Sequence, residues 1–180
     1  MDLLAERGSE GFNIADLAES VGLVPSAVYR HFEGREDVLD AALDVFRDRV
    51  YRLVDAARNE AENPLMALEL LLTRHARLIE SGGAVPYIMA SMNAPGGHAA
   101  RRSKTERIFR GYVSRVEAVV RDGQASGQVR SDVDPATAAL LFAGLIQPAI
   151  QLRHAEGERF DISAHVARVW DLFRRAVGHD

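Results

Sequence analysis

The sequence predicts an all-α protein of about nine helices, with a small N-terminal domain followed by a larger helical bundle. Apolar residues recur at spacings of three and four along most of the chain, and no stretch keeps the alternation of a β-strand. Glycine, proline and asparagine interrupt this pattern and separate the helices from one another. We therefore expect three short helices within residues 1–33 and mostly long helices within residues 35–177.

The interruptions also give approximate bounds for each helix. They place the first helix before Gly8, the second and third on either side of Gly22, the fourth from Arg35 to about Asn59, the fifth from Pro64 to Ser81, the sixth from Pro86 to before Asn93, the seventh from about Ala100 to Ser126, the eighth from Pro135 to about Ala155 and the ninth from about Asp161 to Val177. Asp134 is a good cap for the eighth helix, with proline at its first position. We place the domain boundary between residues 1–45 and 46–180, with the fourth helix as the joint.

Composition excludes several classes of protein. The 180 residues include no cysteine, which excludes disulfide scaffolds, thiolate metal sites and cysteine nucleophiles. The six histidines are scattered, and neither a glycine-rich phosphate loop nor an HExxH motif occurs. We therefore expect no enzymatic activity, no metal and no cofactor. No uninterrupted apolar run approaches the ~18 residues of a membrane span, so we expect a cytoplasmic protein with no membrane partner.

Residues 13–32 have the pattern of a helix-turn-helix. Asn13 can cap a helix whose apolar face ends at Val21, Gly22 supplies the turn, and Pro25 stands near the start of the next helix. In this motif the second helix lies in the major groove of DNA, with its N-terminal residues against base edges.

These residues resemble the DNA-binding region of TetR-family transcriptional regulators. The matching segments are Leu17-Ala18, Val21-Gly22-Leu23, SAVYRHF at residues 26–32 and REDVL at residues 35–39. Further along, QVRSDVDP at residues 128–135 is similar to the segment that opens the penultimate helix of the family. The resemblance implies a sequence-specific regulator of transcription, a pocket for a small molecule, and pairing of two subunits through the last two helices.

The resemblance also implies a set of residues that contact double-stranded DNA at a pseudo-palindromic operator. They are Asn13, Pro25, Ser26, Ala27, Tyr29, Arg30, His31 and Arg35. Arg30 suits guanine, and the others suit phosphate or a close approach of the backbone. As alternatives, Tyr29 packs on the first helix, His31 is partly buried and Arg30 is solvated.

Three features of the N-terminal region predict weak DNA binding. Val24 stands where the family usually has the serine that caps the recognition helix. The sequence matches only the last two turns of the family's first helix, so we expect a form of the protein with a longer first helix to bind DNA more tightly. Residues 1–50 contain five arginines and eleven acidic residues and carry a net charge of −6, against +2 for the rest of the chain. Between Val21 and Phe32, however, Arg30 is the only charged residue.

Polar residues on otherwise apolar helix faces predict the lining of an effector pocket. The set comprises His75, Tyr87, Met89, Met92, Phe109, Tyr112, Gln147 and Gln151. A few polar groups in an apolar wall are typical of ligand cavities, and Pro148 is expected to kink the eighth helix next to Gln147. As alternatives, His75 is a satisfied or exposed histidine, the methionines belong to the core, and Gln151 lies at the dimer surface.

The last two helices carry the apolar stripes that predict a homodimer. The predicted interface comprises Phe142, Ile146, Ala149, Val166, Val169, Trp170 and Phe173. The eighth helix has a second apolar face with Leu140, Leu141, Gly144 and Leu145, and a helix apolar on two faces must bury both. The alternative is a central helix in a monomeric bundle.

The most consistent interpretation is a dimeric repressor that is released from DNA by a small, mostly apolar effector. We expect the fourth helix to transmit a change in the spacing of the two recognition helices. The alternative is a ligand-binding or protein-interaction bundle with a weakened or vestigial DNA-binding domain. The basic run at residues 101–104 is a further candidate contact, or else a solvated turn.

Overall fold

The computed structural model describes residues 35–80 and 99–179, which form five α-helices. They are α1 (Arg35–Glu60), α2 (Pro64–Glu80), α3 (Ala99–Ala125), α4 (Pro135–Glu156) and α5 (Ile162–Val177), with a 3₁₀-helix at Gly157–Arg159. The described residues contain no strand beyond one isolated antiparallel bridge between Val129 and Gly178. The all-α class is confirmed, and these helices match five of the nine predicted. The other four predicted helices lie outside the described residues.

The chain divides into two compact units. Among the described residues, 35–49 and 99–108 belong to the first unit, and 50–80 and 109–179 belong to the second. The domain boundary predicted after residue 45 stays a prediction.

Helices α2, α4 and α5 pack against one another in the second unit. Phe142 of α4 meets Phe173 of α5 edge to face, with 5.5 Å between ring centroids, and Trp170 stacks on Phe173 at 5.9 Å. Aromatic pairs in these arrangements add to the stability from buried area. This cluster therefore fixes α4 against α5 within one subunit.

Local capping and loop contacts determine where α4 begins. Asp134 accepts hydrogen bonds from the backbone nitrogen and hydroxyl of Thr137, at 2.8 and 2.6 Å. Both bonds hold the pKa of the Asp134 carboxyl below its ordinary value, and the bond from the hydroxyl has the larger effect. Gln124 Nε2 donates to the carbonyls of Arg130 and Val133 and so secures the preceding loop. The predicted Asp-Pro helix start is confirmed.

Helix α4 is apolar on two faces. Ala139, Phe142 and Ile146 are buried, whereas Leu140 and Leu141 are more than half exposed. Its segment Pro135–Arg153 is long and apolar enough to cross a membrane, a test that the core helix of a soluble protein also passes. The prediction counted only uninterrupted runs and did not identify this segment, because threonine, glycine, glutamine and proline interrupt its apolar residues.

Most residues predicted for the dimer interface are buried within the single chain. Six of the seven are buried within one subunit, and Val169 is half-buried: the six are Phe142, Ile146, Ala149, Val166, Trp170 and Phe173. Their side chains contribute to the core of the single chain, and their place in a dimer interface stays a prediction. Helix α4 has two apolar stripes, and helical spacing alone does not indicate which one faces inward.

Gly111 lies where α3 closely approaches Tyr51 of α1. The guanidinium of Arg115 lies 3.8 Å from the centroid of the Tyr51 ring and donates to the Gly111 carbonyl at 3.1 Å. A Cβ atom at residue 111 would lie 2.0 Å from Tyr51 Oη. Any side chain there would therefore force Tyr51 away from Arg115.

We expect Gly111→Ala to lower the free energy of unfolding. Overpacking costs about 1–3 kcal/mol, which outweighs the roughly 1 kcal/mol that alanine adds as a better helix former. Urea denaturation of the single variant and of the same change in a Tyr51→Ala background measures the coupling. In that background, where the ring is absent, Gly111→Ala should be stabilising. A stabilising effect with Tyr51 present would contradict the close contact.

Candidate effector site

The buried face of α2 carries one titratable side chain. Leu68, Leu71, Leu72 and Ile79 form this face, and His75 lies among them with 8% of its surface exposed. The predicted stripe at helical spacing is therefore confirmed as a buried face. His75 is the only histidine or charged residue found buried in the part of the chain that the structure describes.

Tyr112 of α3 meets His75 in this interior. Their ring centroids lie 5.5 Å apart in an edge-on arrangement. Tyr112 is itself buried, and Val116, Val119 and Val120 continue the buried face of α3. The structure thus brings together two of the predicted pocket residues, each on a helix face with buried aliphatic residues.

Both side chains keep a buried polar atom without a partner. His75 Nδ1 and Tyr112 Oη make no hydrogen bond within the described residues. A buried polar group left unpaired costs about 1–3 kcal/mol, and such groups in native proteins call for a specific explanation. The pair is therefore the strongest candidate among the described residues for contact with a bound molecule.

Burial also keeps the pair uncharged. Desolvation lowers the pKa of His75 to about 4 and raises the pKa of the Tyr112 phenol. The charged form of each group is disfavoured in an apolar interior. At neutral pH the site therefore presents a neutral imidazole and a protonated phenol, each able to form hydrogen bonds without carrying charge.

The lowered pKa of His75 predicts that the protein loses stability in mild acid. Between pH 6.5 and about 4 the unfolded chain binds a proton that the folded chain does not, so the free energy of unfolding falls as the pH falls. Between pH 7 and pH 5 we expect a loss of about 2 kcal/mol from this group.

Urea denaturation of the wild type and of His75→Leu at both pH values measures this contribution. The variant should lose about 2 kcal/mol less than the wild type between pH 7 and pH 5. The matched control is His179→Gln, which removes an exposed imidazole. Equal losses in the wild type and His75→Leu would show that His75 is not a buried neutral group.

The other predicted pocket residues are not in the described interior. Gln147 is half-buried on α4, Gln151 is exposed one turn later, and Phe109 on α3 is 38% exposed. Tyr87, Met89 and Met92 lie outside the described residues. Of the predicted set, only His75 and Tyr112 are brought together by the described structure.

Most of the predicted DNA contacts also lie outside the described residues. Arg35 is the first residue of α1. Asn13, Pro25, Ser26, Ala27, Tyr29, Arg30 and His31 precede it and stay predictions. The described residues contain no group of three His, Asp or Glu side chains that could hold a metal ion.

Lys104 connects α3 to α1 within the first unit. Its Nζ lies 2.9 Å from Asp44 Oδ2 and donates to the Asp40 carbonyl at 2.8 Å. It belongs to the basic run that the sequence analysis identified as a candidate contact. The sequence contains 21 arginines and only this one lysine. The compact ammonium of a lysine suits a point contact to a carboxylate and a carbonyl. The presence of a lysine here was therefore a signal from which such a contact could have been predicted.

Comparison with known proteins relates both parts of the chain to regulators. Residues 1–42 match the family model for bacterial regulatory proteins of the tetR family, and residues 46–176 match the model for the C-terminal region of YsiA-like proteins. The fatty acid metabolism regulator protein of Bacillus subtilis is 19% identical over 175 residues, covering 96% of this chain and 88% of the relative.

Solved structures show the same fold. The fatty acid degradation regulator FadR from Bacillus halodurans superposes with a TM-score of 0.80 and 21% identity, covering 95% of this chain and 88% of that one. FadR from Bacillus subtilis in complex with stearoyl-CoA has a TM-score of 0.79 and 18% identity, covering 94% and 91%.

The helix-turn-helix match, followed by this helical fold, defines a bacterial DNA-binding regulator of transcription. The second model alone spans more than half of the sequence. The chain belongs to the tetR family of bacterial regulatory proteins.

Proposed function

We propose that this regulator is a homodimeric, cytoplasmic repressor that leaves its operator when a small, mostly apolar effector binds. The observation that carries the proposal is the uncharged His75–Tyr112 pair, with unpartnered polar atoms among aliphatic side chains of α2 and α3. Ligand sites in proteins are mostly apolar and contain a few well-placed polar groups. A regulator also needs an input, and this pair supplies a candidate contact for it.

The proposed effector is a long-chain fatty acyl-CoA thioester. One sequence relative is named for fatty acid metabolism, one solved structure of the same fold is a fatty acid degradation regulator, and a second solved structure holds stearoyl-CoA. The aliphatic side chains around His75 suit a hydrocarbon chain, because burying such a chain contributes about 0.8 kcal/mol for each methylene.

The proposed dimer surface comprises the outward apolar residues of α4 and α5. Leu140, Leu141 and Leu152 on α4 and Leu172 on α5 are exposed in the single chain, and Gly144 lies between the leucines of α4. These two helices pack against each other within one unit, and we propose that their exposed apolar residues form one surface. In a symmetric dimer the same surface on both subunits would bury them.

The proposed mechanism is a change in the spacing of two recognition helices, transmitted through α1. This helix is continuous from Arg35 to Glu60, and Lys104 anchors its first half to α3. An effector can shift the spacing only if it binds one arrangement more tightly than the other. The proposed DNA contacts are the eight residues from Asn13 to Arg35 predicted above.

Selection from random DNA, followed by gel shift, tests the proposal. The full chain should enrich a pseudo-palindrome, and octadecanoyl-CoA should lower its affinity for that site, whereas coenzyme A alone should not. Arg30→Ala should weaken specific binding by about 1–3 kcal/mol if Arg30 contacts a base. Failure to enrich any sequence would favour the alternative of a helical bundle with a weakened DNA-binding domain. Unchanged operator affinity at saturating thioester would reject the proposed effector.

A further inference from the structure

We propose that the effector carries an uncharged oxygen, a hydroxyl or a carbonyl, within its apolar part, and that His75 and Tyr112 bind this oxygen. The inference rests on one part of the proposed function, namely that a mostly apolar effector binds in the unit formed by residues 50–80 and 109–179. It goes further in distinguishing an oxygenated chain from a plain hydrocarbon chain.

The arrangement of the two polar atoms carries this inference. His75 Nδ1 and Tyr112 Oη are both buried and both unpartnered within the described residues, on rings whose centroids lie 5.5 Å apart. The two groups come from different helices, so the tertiary fold brings their rings together. A single ligand oxygen has enough lone pairs and, as a hydroxyl, one proton to satisfy both groups at once.

The chemistry of the pair selects a neutral partner. The phenol stays protonated and donates a hydrogen bond, while the neutral imidazole either donates to a carbonyl or accepts from a hydroxyl. Burial disfavours charge on His75 and on Tyr112 alike. A carboxylate or an ammonium group would have to be desolvated here without an opposite charge, which is far more costly than burying a hydroxyl that is hydrogen-bonded.

Packing alone does not account for these two residue types. Phenylalanine at residue 112 and leucine at residue 75 would fill the space while leaving no polar group unpaired. Replacing both partners of a buried polar pair by apolar groups is often neutral or stabilising. The polar atoms thus lower the stability of the empty protein and become useful when a ligand oxygen satisfies them.

Binding of matched thioesters to the full-length protein tests the inference. The probes are octadecanoyl-CoA and octadecanoyl-CoA carrying one hydroxyl or one keto group at different positions along the chain. At least one oxygenated probe should bind at least about tenfold more tightly than the plain probe. Sites that hydrogen-bond a substrate hydroxyl reject analogues that lack it, so Tyr112→Phe should remove most of this preference.

The control variant is Tyr51→Phe, which deletes the phenolic oxygen of another tyrosine in the same unit. It should keep the wild-type preference for the oxygenated probe. If every oxygenated probe binds no more tightly than the plain one, the inference is wrong while the proposed effector class stands. The inference is also wrong if the preference exists but Tyr112→Phe leaves it unchanged.

Thermal unfolding of the unliganded protein decides the case in which no thioester binds. That result would reject the proposed effector class. The inference would then depend on whether the Tyr112 hydroxyl lacks a hydrogen-bond partner in the unliganded protein. Tyr112→Phe should keep the wild-type Tm or raise it by up to about 4 °C, because the deleted group has no partner to lose. A lower Tm would mean that the hydroxyl already has a structural partner, which overturns the inference.

Discussion

Phe142→Ala should lower the free energy of unfolding by about 3–5 kcal/mol, the largest loss we expect from any single side chain among the described residues. Phe142 is 1% exposed and packs edge to face against Phe173, so its removal leaves a cavity between α4 and α5. The cavity forfeits both the buried area and the dispersion contacts of the ring. Urea denaturation monitored by circular dichroism measures the loss.

Two further variants show whether the loss of stability in Phe142→Ala comes from the core of one subunit. Met66→Ala, on an exposed side chain of α2, should change stability by no more than about 0.5 kcal/mol. Leu141→Ala, at the preceding residue of α4, should lose stability only at concentrations where the protein is dimeric, because a partner stabilises by mass action. The loss in Phe142→Ala should persist at every concentration. If dilution abolished it, Phe142 would belong to the interface after all.

The helix bounds were predictable because local signals determine them. The Asp134-Pro135 pair was enough to locate the start of α4, since Asp134 caps the helix by accepting from the backbone nitrogen of Thr137, three residues later. The end of α5 follows similarly from Gly178, whose backbone nitrogen donates to the Arg174 carbonyl at 2.8 Å. Contacts of this kind join residues no more than four positions apart, so they can be predicted from the local sequence.

The face that each helix buries was harder to predict. On α2 one face is apolar, and His75 was correctly placed on it. On α4 both faces are apolar, and the pattern alone gave no reason to choose Phe142 rather than Leu141 for the core. The choice depends on α5, where Phe173 meets Phe142 and Leu172 faces outward. Such a choice requires the tertiary structure, because periodicity describes a helix without its neighbours.

The partners of polar residues depend on still longer separations. Lys104 and Asp44 lie 60 residues apart in the sequence, and nothing near either residue identifies the other. His75 and Tyr112 were both predicted as pocket residues, but from separate helices and without a reason to pair them. The described structure adds that they meet and that neither Nδ1 nor Oη is satisfied there. These two facts turn two candidate residues into one site.

Leu141→Glu should convert the protein into a monomer and lower its affinity for a two-half-site operator by at least about 100-fold. Leu141 is 51% exposed on α4, and at the proposed surface a carboxylate would be desolvated without an opposite charge. A monomer places one recognition helix on DNA instead of two, so the contribution of the second half-site is lost. Analytical ultracentrifugation measures the first effect, and gel shift with the selected operator measures the second.

Met66→Glu is the matched control, since it introduces the same charge at an exposed apolar residue on a different helix. It should leave both the dimer and operator binding intact. Leu172→Glu, on the neighbouring helix α5, should reproduce the effects of Leu141→Glu if both residues belong to one surface. A Leu141→Glu protein that stays dimeric would place the interface elsewhere. A monomeric variant with unchanged operator affinity would instead separate dimerisation from DNA binding, and would remove the reason for expecting a pseudo-palindromic operator.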